Sequence, residues 1–222
     1  VAAEPQRPVR DAVVGVLGGT PPTVVRPPVD PAAAVLPEPL ARAVASFDTT
    51  VDAWFDRLRS HTVPDKLFYG ASAVGDFSLI WHIAGVARAL AGPRQEREAV
   101  RLAAALGIES VLINGVVKSW FRRTRPAWDQ PRARKLRKPR SSSFPSGHAT
   151  SGFMAATLLG AGRSKPTKAL WLGAATIVSV SRVHVRIHHA SDVAAGAVIG
   201  VGIGAIVKRM WPQGNVRGGR GY

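Results

Sequence analysis

Beyond Pro64 the chain is dominated by long stretches of Ala, Gly, Leu, Ile and Val with few charges inside them, and this pattern most narrows the folds open to it. Residues 193–207 carry no charge and contain the run Gly-Ala-Val-Ile-Gly-Val-Gly-Ile-Gly. Glycine at that density makes a poor helix in water but suits helices that pack backbone to backbone in lipid. The pattern divides into five expected helices at 65–90, 98–118, 146–160, 167–181 and 191–207. The expected fold class is therefore all-α, a transmembrane helical bundle of about five spans. A soluble helical bundle is the alternative. Asp76 and Arg88 interrupt the first segment, Arg101 and Glu109 interrupt the second, and the uncharged cores fall short of the roughly 20 residues of a clean span.

An N-terminal amphipathic helix precedes the apolar segments. Leu40, Val44, Phe47, Val51, Trp54, Phe55 and Leu58 recur at spacings of three and four, while Arg42, Asp48, Asp52, Asp56 and Arg57 take the other positions. It is too charged to span a bilayer, so it either lies along the membrane interface or packs on the core. Residues 1–35, rich in Pro and Arg without sustained periodicity, are expected to be a disordered tail with no signal peptide. The expected division is thus 1–35 tail, 36–62 amphipathic helix, 63–210 helical domain and 211–222 flexible basic tail.

With 30 Lys and Arg against 14 Asp and Glu, the net charge of +16 predicts attraction to nucleic acid, an anionic membrane surface or phosphorylated substrates. Cysteine is absent, which excludes disulfides, thiolate metal sites and a cysteine nucleophile.

Three short polar clusters separate the apolar segments. The first, at 118–126, reads Lys-Ser-Trp-Phe-Arg-Arg-Thr-Arg-Pro; the second, at 145–148, reads Pro-Ser-Gly-His; the third begins at Ser181 and Arg182 and continues to His188 and Asp192. If the five segments alternate across a bilayer, all three clusters reach the same face. Their chemistry suits a phosphoryl group. Lys118, Arg125 and Arg182 supply fixed positive charge, and arginine can donate two parallel hydrogen bonds to phosphate. Pro126 disfavours helical geometry at Arg125, so the second helix should end there. Ser146 and Gly147 open a helix whose free N–H groups can bind an anion.

Four residues separate His188 from Asp192. If the last helix starts near His188, the carboxylate can accept the Nδ1 proton and leave Nε2 free to attack phosphorus. His148, arriving from another helix, can protonate the leaving alkoxide and later activate water. His184, His188 and Asp192 also fall at a helical spacing that could present three metal ligands. A divalent cation there would be repelled by Lys118, Arg125 and Arg182, and no metal or cofactor is expected. His184 and His189 read as neighbours of the site, and His61 and His82 receive no role.

Together, KxxxxxxRP at 118–126, PSGH at 145–148 and SRxxxxxHxxxD at 181–192 resemble the tripartite signature of the type 2 phosphatidic acid phosphatase family. That family lies within the superfamily that includes the vanadium haloperoxidases. The resemblance covers roughly 65–207 and implies metal-independent hydrolysis of lipid phosphates or pyrophosphates through a phosphohistidine. It implies His188 as nucleophile, His148 as acid and base, and Asp192 as the group orienting His188. Lys118, Arg125, Ser146, Gly147 and Arg182 are implied to bind phosphate. Many membrane members have six spans, whereas five are expected here, with the amphipathic helix in place of the first.

The expected localisation is multi-pass in the cell membrane, and the expected partners are a lipid phosphate substrate and membrane lipids. Five spans would put the unsignalled tail on the face of the site, which favours a cytoplasmic site. Basic residues do not decide the side, since Arg132, Arg134, Lys135, Arg137, Lys138 and Arg140 lie on one face and Arg94, Arg97, Arg163, Lys165, Lys168, Lys208 and Arg209 on the other. The run 132–140 either gathers anionic lipid or is a solvated loop. A vanadate-dependent peroxidase is the nearer alternative function. Nucleic-acid binding is the remoter one, because a basic loop explains neither histidine and no reader motif is visible.

Overall fold

The computed structural model describes residues 36–59, 61–128, 132–134, 136, 139 and 141–213. The expected tail at 1–35 lies outside the described residues, as do Lys135, Arg137, Lys138, Arg140 and the expected basic tail beyond 213. Among the described residues every regular element is helical.

The periodic N-terminal stretch forms α1 (Glu38–Asp56), with Pro39 in its first turn, where the missing N–H costs nothing. Its apolar residues divide between two faces. Phe55 is buried and Val51 and Leu58 pack beside it, whereas Leu40, Phe47 and Trp54 remain exposed. Asp48, expected on the polar side, is buried instead.

The helix expected at 65–90 is two helices, α2 (Thr62–Gly75) and α3 (Leu79–Ala89). A tight turn at Asp76–Ser78 breaks them, with Phe77 and Ser78 both in the left-handed region. Such backbone is costly for residues with a Cβ and persists only where surrounding structure enforces it. Here the break presents the Asp76 carboxylate to His148 and Arg182.

Helix α4 runs through Pro93–Trp120, longer at both ends than expected, and its segment Val111–Val117 is π-helical. It stops before Arg125, since Phe121 is already extended. Then come α5 (Gly147–Leu159), α6 (Lys165–His184) and α7 (Ala190–Met210). Each lies within a few residues of its expected bounds.

Helix α5 is the centre, packed against α4, α6 and α7. Its Met154, Ala155 and Leu158 meet Trp81, Leu102, Leu106 and Val178 in the main core. The glycine run explains how α7 comes so close. A Cβ on Gly196 would stand 2.6 Å from the Ser146 carbonyl oxygen, one on Gly200 would strike the Thr150 carbonyl oxygen, and one on Gly204 would stand 2.8 Å from Thr157. These three glycines, four apart, form one stripe along α7. The stripe ends at Ser146, so the same close packing delivers the start of α5 to the start of α7.

Among the described residues two helices, Pro93–Trp120 and Ala190–Met210, are long and apolar enough to cross a membrane. Large apolar side chains also stand exposed around the bundle, among them Ile83 and Val86 on α3, Ile108 and Val111 on α4, Leu170 on α6 and Val198 on α7.

Candidate active site

All three sequence clusters meet where α4, α5 and α6 end or begin and α7 starts. Ser146 caps α5: its side chain accepts from the Ala149 N–H, and its own N–H donates to the Asp192 carbonyl at 3.0 Å. Gly147 faces α4, where a Cβ would lie 3.5 Å from Asn114 Oδ1 and 3.8 Å from Lys118 Nζ. Those are ordinary contacts, so the protein itself would tolerate a side chain there. Lys118 is buried and lies in the field of Arg125, Glu109, Arg182 and Asp192.

Arg125 sits on the segment leaving α4. Its Nε donates to the Ser141 carbonyl at 3.1 Å, Nη2 to the Ser142 carbonyl at 3.0 Å and Nη1 to the Ile187 carbonyl at 2.9 Å. A guanidinium tied at all three nitrogens is preorganised, and its Nη1 lies 3.3 Å from His188 Nε2. On the facing side, Arg182 donates to the Ser72 hydroxyl and lies 3.5 Å from Asp76 Oδ1. His148 Nε2 is 3.0 Å from the same Asp76 oxygen, though not aligned as a hydrogen bond.

His188 lies in the turn between α6 and α7, buried, with Nδ1 at 3.5 Å from Asp192 Oδ2. The last helix begins at Ala190 rather than at His188, and that pair stands slightly beyond hydrogen-bond length. Burial pushes the His188 imidazole down to about 3, and the cations Arg125 and Arg182 act in the same direction while Asp192 opposes them. The ring is therefore neutral near pH 7, the state in which Nε2 has a lone pair to offer.

Asp192 is fully buried and heavily bonded. Oδ2 accepts from the Ser143 hydroxyl and, at 2.9 Å, from the His189 N–H, while Oδ1 accepts from Arg123 Nη1 at 2.6 Å. Burial works against the Arg123 charge, but Asp192 and Asp48 outweigh it and hold this guanidinium above the ordinary arginine value.

His184 and His189 sit beside the site, each with its Nε2 against another partner. His184 Nε2 lies 2.7 Å from Asp65 Oδ1, and His189 Nε2 lies 3.3 Å from the Thr124 carbonyl. Helix α6 ends at His184, so His184, His188 and Asp192 do not share a helical face as the metal reading required. Asp48, Asp76, Arg123 and Ser143 escape a reading of sequence alone. Arg123 lies inside the first cluster, and Asp76 was conspicuous as a carboxylate in an apolar stretch. Ser143 ends a run of three serines before Pro145, while nothing local marks Asp48.

The arrangement supplies a neutral imidazole nitrogen beside a fixed guanidinium, a second histidine, two further cations and a helix N-terminus. It can bind an oxyanion and carry out nucleophilic and proton-transfer steps on it. A model of the PAP2 superfamily matches residues 98–215. Over 139 residues the chain is 35% identical to the decaprenylphosphoryl-5-phosphoribose phosphatase of Mycobacterium tuberculosis, in strains CDC 1551 / Oshkosh and ATCC 25618 / H37Rv, covering 62% of this chain and 75% of that protein. The fold matches the crystal structure of Aquifex aeolicus LpxE with a TM-score of 0.59 at 24% identity, over 72% of this chain and 94% of that one. It also matches the transmembrane PAP2-type phosphatidylglycerolphosphate phosphatase from Bacillus subtilis, with a TM-score of 0.58 at 24% identity over 81% and 89%. By the matching model, by these relatives and by the meeting of its three clusters, the chain belongs to the PAP2 superfamily and is a phosphatase.

Proposed function

We propose that the protein is an integral membrane lipid phosphatase, multi-pass in the cell membrane, that hydrolyses the phosphomonoester of a polyprenyl-type lipid through a phosphohistidine on His188, without a metal. The observation that carries this reading is the buried His188 ring, with Arg125 against one nitrogen and Asp192 beyond the other. The polyprenyl class is favoured over a phosphatidate or a lipid pyrophosphate by the Mycobacterium tuberculosis relative, whose name specifies a decaprenylphosphoryl-phosphoribose.

Lys118, Arg125 and Arg182, with the start of α5 at Ser146 and Gly147, hold the non-bridging oxygens. His188 Nε2 forms a bond to phosphorus as the P–O bond to the lipid breaks, and His148 gives its proton to the departing alkoxide. Water then attacks the phosphohistidine, His148 takes the proton back, the P–N bond breaks and inorganic phosphate leaves. Asp192 holds the His188 ring and stabilises its cationic form during transfer. The apolar side chains exposed on α3, α4, α6 and α7 support burial of the bundle in lipid. The outward Leu40, Phe47 and Trp54 support an interfacial position for α1.

The test is phosphate release from a panel of polyprenyl phosphomonoesters, phosphatidates and lipid pyrophosphates in EDTA, with His188→Ala and His148→Ala alongside. Release that persists in EDTA and is lost in both variants is expected. Loss of activity in EDTA overturns the metal-free route, and full activity in both variants overturns the roles given to the histidines.

A further inference from the structure

Helix α1 carries four acidic residues, and one of them behaves unlike the rest. Glu38, Asp52 and Asp56 have side chains 81%, 50% and 49% exposed, whereas Asp48 is buried. Its Oδ1 accepts from the Ser191 N–H at 2.7 Å, and its Oδ2 accepts from the Ser191 hydroxyl at 2.8 Å and from Arg123 Nη2 at 2.6 Å. Arg123 turns its other nitrogen, Nη1, to Asp192 Oδ1 at 2.6 Å and to the Ser191 hydroxyl at 2.7 Å. One guanidinium therefore joins two carboxylates, and each end of the link is a charge-assisted hydrogen bond. Ser191 and Asp192 form the first turn of α7, so Asp48 also accepts one of that helix's free N–H groups.

We propose that Asp48 is a positioning residue for Asp192, acting through Arg123 and Ser191, so that the docking of α1 sets the geometry of the His188–Asp192 pair. This rests on the reading of His188 as the nucleophile. The physical basis is the planar fork of arginine. With a carboxylate on each side its plane is set, and Asp192 Oδ1 is held while Oδ2 faces His188. Without Asp48, Nη2 loses its carboxylate, and Asp192 can rotate with Arg123 away from the imidazole. A helix that exposes Leu40, Phe47 and Trp54 thereby reaches the carboxylate that orients the nucleophile.

The experiment is rapid-quench phosphorylation of the full chain in lipid vesicles by a radiolabelled long-chain alkyl phosphate, with an alkaline quench that preserves phosphohistidine. Both the amplitude and the rate constant are read. A purely structural role for Asp48 lowers the amplitude, which counts folded sites, and leaves the rate constant of the surviving sites alone. Asp48→Asn is expected to lower the rate constant about tenfold or more, as loss of an outer-shell partner does elsewhere. Asp52→Asn on the same helix, whose partner is Arg59, is expected to leave it unchanged. Asp48→Asn and Arg123→Lys together should cost less than the product of their separate effects, because both break one chain. If Asp48→Asn does not fold, Ser191→Ala serves, with a smaller fall in the same constant expected.

An unchanged rate constant in Asp48→Asn, or in Ser191→Ala where that variant stands in for it, overturns the proposal. So does an equal fall in Asp52→Asn. Phosphoenzyme that still forms in His188→Ala overturns the nucleophile reading instead, so the two failures are distinguishable.

Discussion

His184 and His188 stand four residues apart, each buried and each beside an aspartate, yet their surroundings differ entirely. His184 holds Asp65 at 2.7 Å within a box of aromatic rings, with Phe68 at 4.6 Å, Phe55 at 5.9 Å and Tyr69 at 6.3 Å between centroids. His188 lies 3.5 Å from Asp192 and turns its other nitrogen toward a guanidinium. The shorter, better-formed pair is the one that joins α2 to α6. A carboxylate beside a histidine does not by itself mark a nucleophile; the role proposed for His188 rests instead on an imidazole nitrogen set against a guanidinium. In His184 that nitrogen is taken by Asp65, and the arginines nearest it, Arg59 and Arg186, are paired with Asp52 and Asp56.

The widest separation between the two histidines should come from removing each ring. His188→Ala is expected to lower the steady-state rate of phosphate release by about 10,000-fold or more, as removal of a nucleophile does in other hydrolases. His184→Ala should keep the rate per folded site and lower the melting temperature. Equal rate losses in the two would erase the distinction.

Changing the carboxylates tests the same contrast less severely. Asp192→Asn should cost roughly 100-fold in kcat through misplacement of the His188 ring, with KM nearly constant. Asp65→Asn should cost about 1–3 kcal/mol of stability through a weakened buried hydrogen bond, measured by denaturation, with kcat intact.

A pH series gives a smaller but signed effect. His188 falls from an ordinary value of 6.5 to about 3 on folding, so below 6.5 the unfolded chain binds a proton that the folded chain refuses. Stability is then full above pH 6.5 and declines as pH falls toward 3. The wild type should melt at a lower temperature at pH 5 than at pH 7, and His188→Ala should show a shallower decline. The effect expected to be smallest on the rate concerns the helix packing that brings these residues together. Gly200→Ala should destabilise by about 1–3 kcal/mol through the clash with Thr150, with little change in rate per folded site.

Much of the bundle was legible in the chain because apolar period and glycine density are local properties. The starts and ends of α5, α6 and α7 follow from such signals: Ser146 as a cap, Pro166 in a first turn and the stripe of Gly196, Gly200 and Gly204. The break at Asp76 was not legible. A run that is apolar on both sides of one carboxylate reads as one interrupted helix, and the contacts that make the turn worthwhile, with His148 and Arg182, come from two other helices. Asp48 shows the same limit. In the period of α1 it is one more acidic position, and only Arg123 and Ser191 distinguish it from Asp52.

The amino-acid sequence by itself determined the chemistry of this protein. The residue types at 118–126, 145–148 and 181–192 specify cations, a helix start and two histidines in a fixed order, and that order needs no coordinates to be recognised. Tertiary structure decided which carboxylates are shared and which side chains hold them. Those outcomes depend on where one helix delivers a side chain relative to another, and long-range placement leaves no trace in local spacing. Within Asp192 itself, one oxygen is oriented toward His188 and the other is held through Arg123 by a helix nearly 150 residues earlier in the chain.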